Sequence, residues 1–396
     1  MKTIDNFDFK GKIAFVRVDL NCPVDEKTKK VEPSPRIAAN AKTIRELSDL
    51  GARVVVLAHQ GRKGDSDFIS LSQHALLLGA ACKKPVKFVD DVCGQKAKEA
   101  IQNLTEGEIL LLENVRFLDD ETQFKTIEEN KNATIVKELS PFCDVFVLDA
   151  FSVAHRPHAS VVGFCDKPTV AGRVMQQELE ALSKLAKPKR PAVFVFGGAK
   201  VEDSIEIIEE WLRKGKLDYA LLGGVVGELF ILASGIELGK TTDFLKESKA
   251  LEYLPTAKQL LSKYKRKLIL PSDFAVDAEG KRKELLVSKL PSEFLISDLG
   301  KKTAKQYSSY IKKAKTLVLN GPVGIYEKKA FSKGTKAILK AVAYSKAFSV
   351  LGGGHTISAI EKFKISKKKL GYISLAGKAL IEYLSGRELP GLKILN

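Results

Sequence analysis

Basic and polar side chains follow several apolar runs in the first half of the chain, where they could bind an anion. The segments at or just beyond the ends of these runs are RVDLN (17–21), AHQGR (58–62), LENVR (112–116) and DAFSVAHRPH (149–158). Arg36 opens the first helical stretch. Four of the arginines in this set are candidates for binding an anion, because a planar guanidinium group suits forked binding of carboxylate or phosphate. These four are Arg36, Arg62, Arg116 and Arg156. Asp19 and Asn21 add hydrogen-bonding groups for a hydroxyl, and His59 lies among them. One such arginine alone would be typical of a surface ion pair, but four together predict a pocket for a small, multiply charged anion.

Glycines replace these charged groups in the second half of the chain. They occur in GGAK (197–200), GG (223–224), NGPVG (320–324) and GGGHT (352–356), each directly after an apolar run. Glycine lets the backbone approach a ligand closely, and a helix N-terminus offers free N–H groups to phosphate. Tight turns also use glycine, so any one pair is weak evidence. Four in one half favour a nucleotide site, with Lys200 placed to meet a transferring phosphoryl group.

A polyanion site in one half and a nucleotide site in the other predict phosphoryl transfer between two bound molecules. That reaction needs positioning, positive charge and exclusion of water more than a covalent residue. The sequence contains no GxxxxGK[ST] and no GxGxxG after a strand, which argues against a P-loop enzyme and a nicotinamide dehydrogenase. GxSxG, HExxH and a Cys/His metal spacing are also absent from the sequence.

The elements that must position these residues are predicted by the apolar runs themselves. The runs span 13–21, 53–61, 109–116, 145–151, 192–200, 219–224, 267–273, 316–322 and 348–354. They are nearly continuous in Val, Ile, Leu and Phe, as in parallel strands buried on both faces. Helical patterns such as 36–51 lie between them. We therefore expect an α/β fold built of βαβ units, with two doubly wound parallel sheets.

One segment interrupts the alternation and divides the chain. Residues 171–186 form a run of good helix formers, and Pro188 and Pro191 follow it. We predict a substrate domain over 1–170, a connecting helix over 171–187 and a nucleotide-binding domain over 188–376, with a hinge between the domains. The alternative is a single sheet in which this segment is one more crossover helix.

Composition limits the class of protein. The chain has 396 residues, no apolar run long enough to span a membrane, and no apolar secretion segment near Met1. Its five cysteines form no CxxC pair, so we expect a reducing, cytoplasmic location. Residues 301–396 carry 20 Lys and Arg against 4 Asp and Glu, whereas the rest carries 45 against 44. No aromatic residues alternate with these lysines, so we interpret them as a solvated surface and expect no specific nucleic-acid partner.

Nine motifs in order make the sequence resemble the phosphoglycerate kinase family over nearly its whole length. They are RVDLNCP (17–23), PSPRIAAN (33–40), AHQGR (58–62), LLLENVRF (111–117), DAFSVAHR (149–156), GGAKV (197–201), LNGPVGIYE (319–327), GGGHT (352–356) and SGRELPG (385–391). GGGHT and AGRVMQQEL (171–179) look more like the archaeal branch than the others.

The resemblance implies reversible transfer of a phosphoryl group between 1,3-bisphosphoglycerate and ADP, giving 3-phosphoglycerate and ATP, with Mg²⁺. It implies that the glycerate substrate is held by Asp19, Asn21, Arg36, His59, Arg62, Arg116 and Arg156. Arg36 and Lys200 would stabilise the transferring group. We expect a monomer that acts on these small molecules and has no membrane partner.

The resemblance also implies a nucleotide site in the second domain. Its residues would be Gly197, Gly198, Lys200, Gly223, Gly224, Asn320, Pro322, Glu327, Gly353, Gly354, His355 and Thr356. Glu327 would bind ribose hydroxyls, and Gly353, Gly354 and Thr356 would meet phosphates at a helix start. Residues 377–396 would pack back onto the first domain.

Three departures from the family pattern bear on the chemistry. His355 stands where many relatives have an Asp that helps hold Mg²⁺, and imidazole is a poor ligand for this hard cation. No protein ligand for Mg²⁺ is therefore identified, and phosphate oxygens and water are expected to hold it. Ser204 replaces a second lysine, and SLAGK (374–378) replaces a Ser-Thr-Gly-Gly turn that favours domain closure. The alternative function is thus a binding protein of the same fold with impaired turnover.

Overall fold

The computed structural model describes residues 1–395, which form two compact units. One unit contains Met1–Glu180 and the described residues from Glu388 onward, and the other contains Ala181–Arg387. The predicted 377–396 segment is therefore divided: residues up to Arg387 belong to the second unit, and Gly391 N donates to Ala154 O in the first unit at 2.9 Å. The last predicted residue, Asn396, lies outside the described residues.

The first unit is built on one parallel sheet. Its strands are β1 (Ile13–Arg17), β2 (Arg53–Leu57), β3 (Lys87–Phe88), β4 (Ile109–Leu111), β5 (Val145–Leu148) and β6 (Thr169–Ala171). They lie in the order β3-β4-β2-β1-β5-β6, and every pair is parallel. β1 and β5 are buried along their whole length because helices cover both faces of the sheet.

The helices of this unit mostly fill the connections between these strands. They are α1 (Pro35–Asp49), α2 (Ser72–Cys82), α3 (Gln95–Gln102), α4 (Ile127–Asn130), α5 (Thr134–Leu139) and α6 (Ala159–Val162). The core between sheet and helices is formed by apolar residues of the strands and of α1 and α2, such as Val16, Ile44, Val56 and Leu78. The Pro at the first position of α1 starts that helix, which places Arg36 in its first turn.

Helix α7 (Arg173–Ala186) contains the boundary between the two units. The sequence predicts this helix from residue 171, but Ala171 instead ends the edge strand β6 and pairs with Leu148 of β5. The predicted domain limits fall at the ends of the helix, whereas the units divide inside it, after Glu180.

The second unit contains two sheets. Its strands are β7 (Ala192–Phe196), β8 (Tyr219–Leu222), β9 (Leu268–Ile269), β10 (Asp273–Ala278), β11 (Lys281–Leu286), β12 (Ile296–Leu299), β13 (Thr316–Asn320), β14 (Phe348–Gly352) and β15 (Tyr372–Ile373). A six-stranded parallel sheet has the order β15-β14-β13-β7-β8-β9. A smaller antiparallel sheet has the order β11-β10-β12, which the sequence analysis did not predict.

The remaining helices cover these sheets. They are α8 (Val201–Arg213), α9 (Gly224–Ala233), α10 (Lys240–Glu247), α11 (Leu254–Tyr264), α12 (Lys301–Lys313), α13 (Lys333–Ala343), α14 (Gly354–Lys362), α15 (Lys378–Leu384) and, in the first unit, α16 (Pro390–Lys393). All nine apolar runs contain a strand, and the predicted fold of two parallel α/β regions is confirmed. No helix within residues 1–395 is long and apolar enough to cross a membrane.

Asp149 joins the end of β5 to the start of α7 from a fully buried position. Its Oδ1 accepts a hydrogen bond from Met175 N at 3.0 Å. Burial raises the pKa of this carboxyl to about 7, because its hydrogen bonds do not offset the cost of burying a charge. Since folding favours the protonated form, the stability this group contributes is present at low pH and is lost as the pH rises from about 4 to 7.

We predict that Asp149→Asn raises the free energy of unfolding at pH 8 by about 1–3 kcal/mol, because a neutral amide avoids the buried charge and still accepts from Met175 N. The gain should shrink as the pH falls toward 4 in urea titrations. Asp144→Asn is the control, since this exposed carboxylate also accepts from a backbone N–H, that of Ile13 at 2.8 Å. An equal gain at both positions would contradict the explanation.

Candidate functional site

The predicted anion-binding residues of the first unit lie beyond one edge of its sheet. β4, β2, β1 and β5 are adjacent and parallel, so their carboxyl ends meet at the same edge. The segments that follow these strands carry Asp19, His59, Arg116 and, further along, Arg156.

Asp19 fixes the position of Arg36. The Asp19 side chain is nearly buried, and its Oδ2 accepts from Arg36 Nη1 at 2.5 Å. Asp19 also accepts from the backbone N of Asn21 at 3.0 Å and from the hydroxyl of Ser152. A carboxylate with several donors holds a guanidinium in a defined place more firmly than a single exposed pair would.

Asn21 and Arg116 brace the loop that follows β2. Asn21 Oδ1 accepts from Gly61 N at 2.8 Å, and Arg116 Nη1 donates to Gly61 O. Arg62 is the next residue, and its side chain is exposed. The loop that presents Arg62 is thus tied to the ends of β1 and β4.

His59 is held as a neutral imidazole. It is 5% exposed, and its Nδ1 lies 3.1 Å from Arg17 Nη2, which can only donate. The proton of the ring therefore lies on Nε2, as inferred from this hydrogen bond. Burial, and next the charges of Arg17 and Arg116, holds the pKa of His59 well below its ordinary value.

A buried network behind His59 was not predicted from the sequence. Arg17 is fully buried and donates to Ser160 Oγ at 2.8 Å, and Ser160 Oγ donates to Glu121 Oε1 at 2.6 Å. Burial raises the pKa of Glu121 to about 7, although Arg17 opposes this rise. Arg17 is thus held by Ser160 and by the charge of Glu121, and it orients His59 through its contact with Nδ1.

The arginines at this edge share one electropositive environment. Burial, and next the charges of Arg17 and Arg156, lowers the pKa of Arg116 to about 10, with a further contribution from Arg62. Arg36 is also among the charges that lower the pKa of His59. This cluster of guanidinium groups makes the edge suited to a compact polyanion.

In the second unit, two glycine loops at the carboxyl edge of the parallel sheet interlock. Gly197 N donates to Asn320 O at 2.9 Å, and Gly198 N donates to Pro322 O at 2.6 Å. A Cβ added at Gly197 would lie 2.6 Å from Gly321 O and would also collide with Pro322 O. Only glycine fits at this position because the two backbones are in direct contact.

A third glycine pair joins them at the start of α9. Gly223 N donates to Phe196 O at 2.8 Å, and Gly224 has φ +55°, which few residues other than glycine adopt. A Cβ at Gly224 would lie 2.9 Å from Gly198 N. The predicted glycines at 197–198 and 223–224 therefore form one continuous backbone surface with Pro322.

This surface forms one wall of a pocket of about 270 Å³ in the second unit. The pocket is lined by Gly198, Ala199, Gly224, Val225, Glu228, Phe244, Leu295, Ile296, Ser297, Pro322, Val323, Gly324, Ile325, Glu327 and His355. It has apolar walls, polar residues at a few points and exposed backbone, as in sites for small organic ligands. The predicted residues Gly198, Gly224, Pro322, Glu327 and His355 meet here.

Helix starts supply the anion-binding groups next to this pocket. Lys200 is exposed and occupies the position just before the first residue of α8, and Gly353 occupies the same position before α14. Thr356 is buried in the first turn of α14, and its hydroxyl accepts from Gly321 N at 3.1 Å. Gly354 follows Gly353 as the first residue of α14, so free backbone N–H groups point outward there.

The chemistry of the donor set does not fit a protein-held Mg²⁺. His355 Nδ1 lies 3.3 Å from Tyr326 Oη and 3.7 Å from Glu327 Oε1, with its side chain 77% exposed. Among residues 1–395, no three His, Cys, Asp or Glu side chains are grouped to hold a metal ion. One carboxylate beside an imidazole falls short of the oxygen shell that this cation needs.

Comparisons with known proteins agree with this geometry. The model of the phosphoglycerate kinase family matches residues 4–387. The chain belongs to this family. Phosphoglycerate kinase of Methanothermobacter thermautotrophicus is 42% identical over 397 residues, which cover 100% of this chain and 96% of the relative.

Solved structures of phosphoglycerate kinases show the same fold. The enzyme from Pyrococcus horikoshii superposes with a TM-score of 0.92 at 39% identity, covering 100% of this chain and 98% of that chain. The enzyme from Coxiella burnetii superposes with a TM-score of 0.84 at 34% identity, covering 99% of this chain and 98% of that one. The resemblance to the archaeal phosphoglycerate kinases is confirmed.

Two departures from the phosphoglycerate kinase pattern have a structural account. Ser204 is buried, and its hydroxyl donates to Lys200 O at 3.3 Å, so it supplies no charge beside Lys200. In SLAGK, Ser374 is buried at the edge of the sheet and its hydroxyl accepts from Ala376 N at 3.2 Å. Lys378 is the first residue of α15, and its Nζ lies 3.9 Å from Glu382 Oε1, one turn further along the same helix.

The sequence analysis did not identify the buried residues that support the candidate ligands. Arg17 opens the RVDLNCP motif but was not proposed as a ligand, and Glu121 and Ser160 lie outside the quoted motifs. Only Arg17 carried a signal, because it is a fully buried charged residue at the end of the otherwise apolar strand β1. The pocket residue Glu228 was also missed, because one glutamate within a helical pattern gives no sequence signal of a binding site.

We predict that Gly197→Ala lowers the free energy of unfolding by about 1–3 kcal/mol, because the new Cβ would force the two interlocked loops apart. Gly354→Ala is the matched control, since a Cβ there would meet nothing within 4 Å. Thermal unfolding of both variants measures the difference. Equal stability of the two variants would show that the loops are not in tight contact.

Proposed function

We propose that this chain carries out reversible phosphoryl transfer between 1,3-bisphosphoglycerate and ADP, giving 3-phosphoglycerate and ATP. The observation that carries the proposal is the set of cationic groups at one sheet edge, beginning with Arg36 held by Asp19. A nucleotide pocket with a backbone wall complements it in the second unit. Membership of the phosphoglycerate kinase family over residues 4–387 supports the same reaction.

We assign the glycerate substrate to the first unit. Arg62, Arg116 and Arg156 would bind its phosphate and carboxylate, since guanidinium groups match both anions. His59 would donate from Nε2, because its Nδ1 is already turned to Arg17. Asp19 and Asn21 would orient the hydroxyl and hold Arg36 and the AHQGR loop in place.

Arg36 and Lys200 are the proposed catalytic residues. In phosphoryl transfer, negative charge spreads over the oxygens of the transferring group and the leaving oxygen. Cations fixed in advance at those oxygens stabilise the transition state more than the bound substrates. The pairing with Asp19 supplies this fixed position for Arg36. The closure that brings the two ligands into line remains a prediction.

We assign the nucleotide to the second unit. Gly197, Gly198, Gly223, Gly224, Asn320 and Pro322 would contact its adenosine, and Glu327 its ribose hydroxyls. Gly353, Gly354, His355 and Thr356 would meet its phosphates at the start of α14. The helix start and the absence of side chains on the glycine wall favour an anionic, flat ligand.

Mg²⁺ is expected with the nucleotide, as in phosphoglycerate kinases generally. Because the described residues do not fit a protein-held ion, we assign it no protein ligand and derive no step from it. We further propose a cytoplasmic monomer without a specific nucleic-acid partner; the five free cysteines favour a reducing location.

We predict that Arg36→Ala lowers kcat for phosphorylation of 3-phosphoglycerate about 10²- to 10³-fold, because a fixed charge at the transition state is lost. A coupled assay with ATP measures this rate. Arg45→Ala is the control on the same helix, since Arg45 pairs with Asp49 at 3.5 Å on the surface. An unchanged kcat for Arg36→Ala would contradict the assigned role.

We predict that Lys200→Ala lowers kcat about 10²-fold with a smaller effect on the KM for 3-phosphoglycerate, because this lysine would act on the transferring group. Lys214→Ala is the control, since Lys214 follows the other end of α8 and pairs with Glu210. Equal rates for the two variants would remove Lys200 from the mechanism.

The buried Ser204 favours one second candidate, a binding protein of this fold with impaired turnover, because it leaves Lys200 without a second nearby lysine on α8. Calorimetric titration with ATP and with 3-phosphoglycerate distinguishes the two functions. Tight binding of both ligands without product in the coupled assay would establish this candidate and exclude the kinase.

A further inference from the structure

Glu228 is a buried carboxyl in the wall of the nucleotide pocket. It lies in the second turn of α9, is 6% exposed, and lines the pocket beside apolar side chains such as Phe244, Ile296 and Val323. Within residues 1–395 it has no side-chain hydrogen bond or ion pair, in contrast to the buried Asp298, which pairs with Arg282 at 2.7 Å.

A carboxyl in this position is costly unless a ligand satisfies it. Most buried polar groups in native proteins are hydrogen-bonded, so a carboxyl among apolar side chains without a protein partner is left to solvent or to a ligand in the pocket. An apolar side chain of the same size would fill the wall without this cost. The unmet hydrogen-bonding capacity of Glu228 therefore indicates a polar ligand group at the base of the pocket.

The carboxyl is neutral at pH 7. Burial raises the pKa of Glu228 to about 8, and burial is the only cause of the shift. The other titratable side chains that line the pocket are Glu327 and His355, and Asp298 on the neighbouring β12 is turned to Arg282. A protonated carboxyl offers one O–H donor and one C=O acceptor side by side.

We propose that Glu228 recognises the base of the nucleotide by pairing with the adenine amino group and the adjacent ring nitrogen. The carbonyl oxygen accepts from the amino group, and the O–H donates to the ring nitrogen. Glu228 is thus a specificity-determining residue, and this inference rests on the proposed function, in which the pocket holds ADP or ATP. The glycine wall has no side chains that could distinguish one base from another, and Glu327 would bind the ribose, which all nucleotides share.

The matched probe is purine riboside triphosphate, which lacks only the amino group of ATP. Loss of one hydrogen bond to a buried group should lower kcat/KM about 10- to 100-fold in the parent protein. In Glu228→Leu, which can make neither bond, the two nucleotides should be used equally well. Glu228→Gln keeps one donor and one acceptor and should retain most of the preference.

The pH profile separates recognition from a structural role. Above the pKa of the carboxyl, the ionised form has no donor for the ring nitrogen, so the KM for ATP should rise with pH by up to tenfold per unit above about 8. Glu228→Gln does not titrate, so its KM should stay level over pH 6.5–9. Glu327 and His355 are present in both proteins, so they cancel from the comparison.

The experiment measures the KM and kcat for both nucleotides at saturating 3-phosphoglycerate, together with their Kd values by calorimetry, for the parent, Glu228→Gln and Glu228→Leu. Glu247→Gln is the control, because this exposed carboxyl lies on α10, the same helix as the pocket residue Phe244. A preference lost only in Glu228→Leu and a level pH profile in Glu228→Gln support the proposal.

An equal preference in the parent and in Glu228→Leu, or the same rise of KM with pH in Glu228→Gln, overturns it. If Glu228→Leu does not fold, the pH profile of the near-isosteric Glu228→Gln still decides. A failure of the proposed function is recognised separately: no turnover with any nucleotide, while the Kd values still distinguish the two bases, rejects the kinase and keeps the role of Glu228.

Discussion

The first unit must hold several like charges at one sheet edge, and this constraint shapes the residues around them. Burial, and next the charges of Arg17 and Arg156, lowers the pKa of Arg116 to about 10, so part of the shift comes from repulsion between like charges at this edge. The chain offsets it with Asp19 at the front and with Glu121 behind Arg17. Neither acid neutralises the whole set, so the remaining positive charge is available to a ligand.

The two units present different groups at the carboxyl edges of their parallel sheets. The first uses long cationic side chains, each of which needs a partner to fix its position, such as Asp19 for Arg36. The second uses backbone, and its loops are fixed by one another through the hydrogen bonds of Gly197 and Gly198. A substrate of defined shape suits the first device, and a flat base with a phosphate chain suits the second.

The sequence predicted the parallel sheets because strands buried on both faces must be apolar throughout. It missed the short strands β3, β6 and β15 and the antiparallel sheet of β10, β11 and β12. Strands of two or three residues are too short to show a pattern, and β11 reads KRKELL, a charged and largely exposed edge strand. The predicted ligand residues of the first unit meet at one edge, because strand ends can be read from the apolar runs. Their supports, Arg17, Glu121 and Ser160, come from three distant segments, and only the fold brings them together.

The contact between the Gly197 and Pro322 loops has a consequence for how such a chain can diverge. These segments are more than a hundred residues apart, yet neither can gain a side-chain atom at the contact without a compensating retreat of the other. A substitution in one of these loops therefore needs a compensating change in the other loop. The glycine side of the pocket is therefore constrained by packing alone, so substitutions that change the shape of the pocket are expected in its other walls.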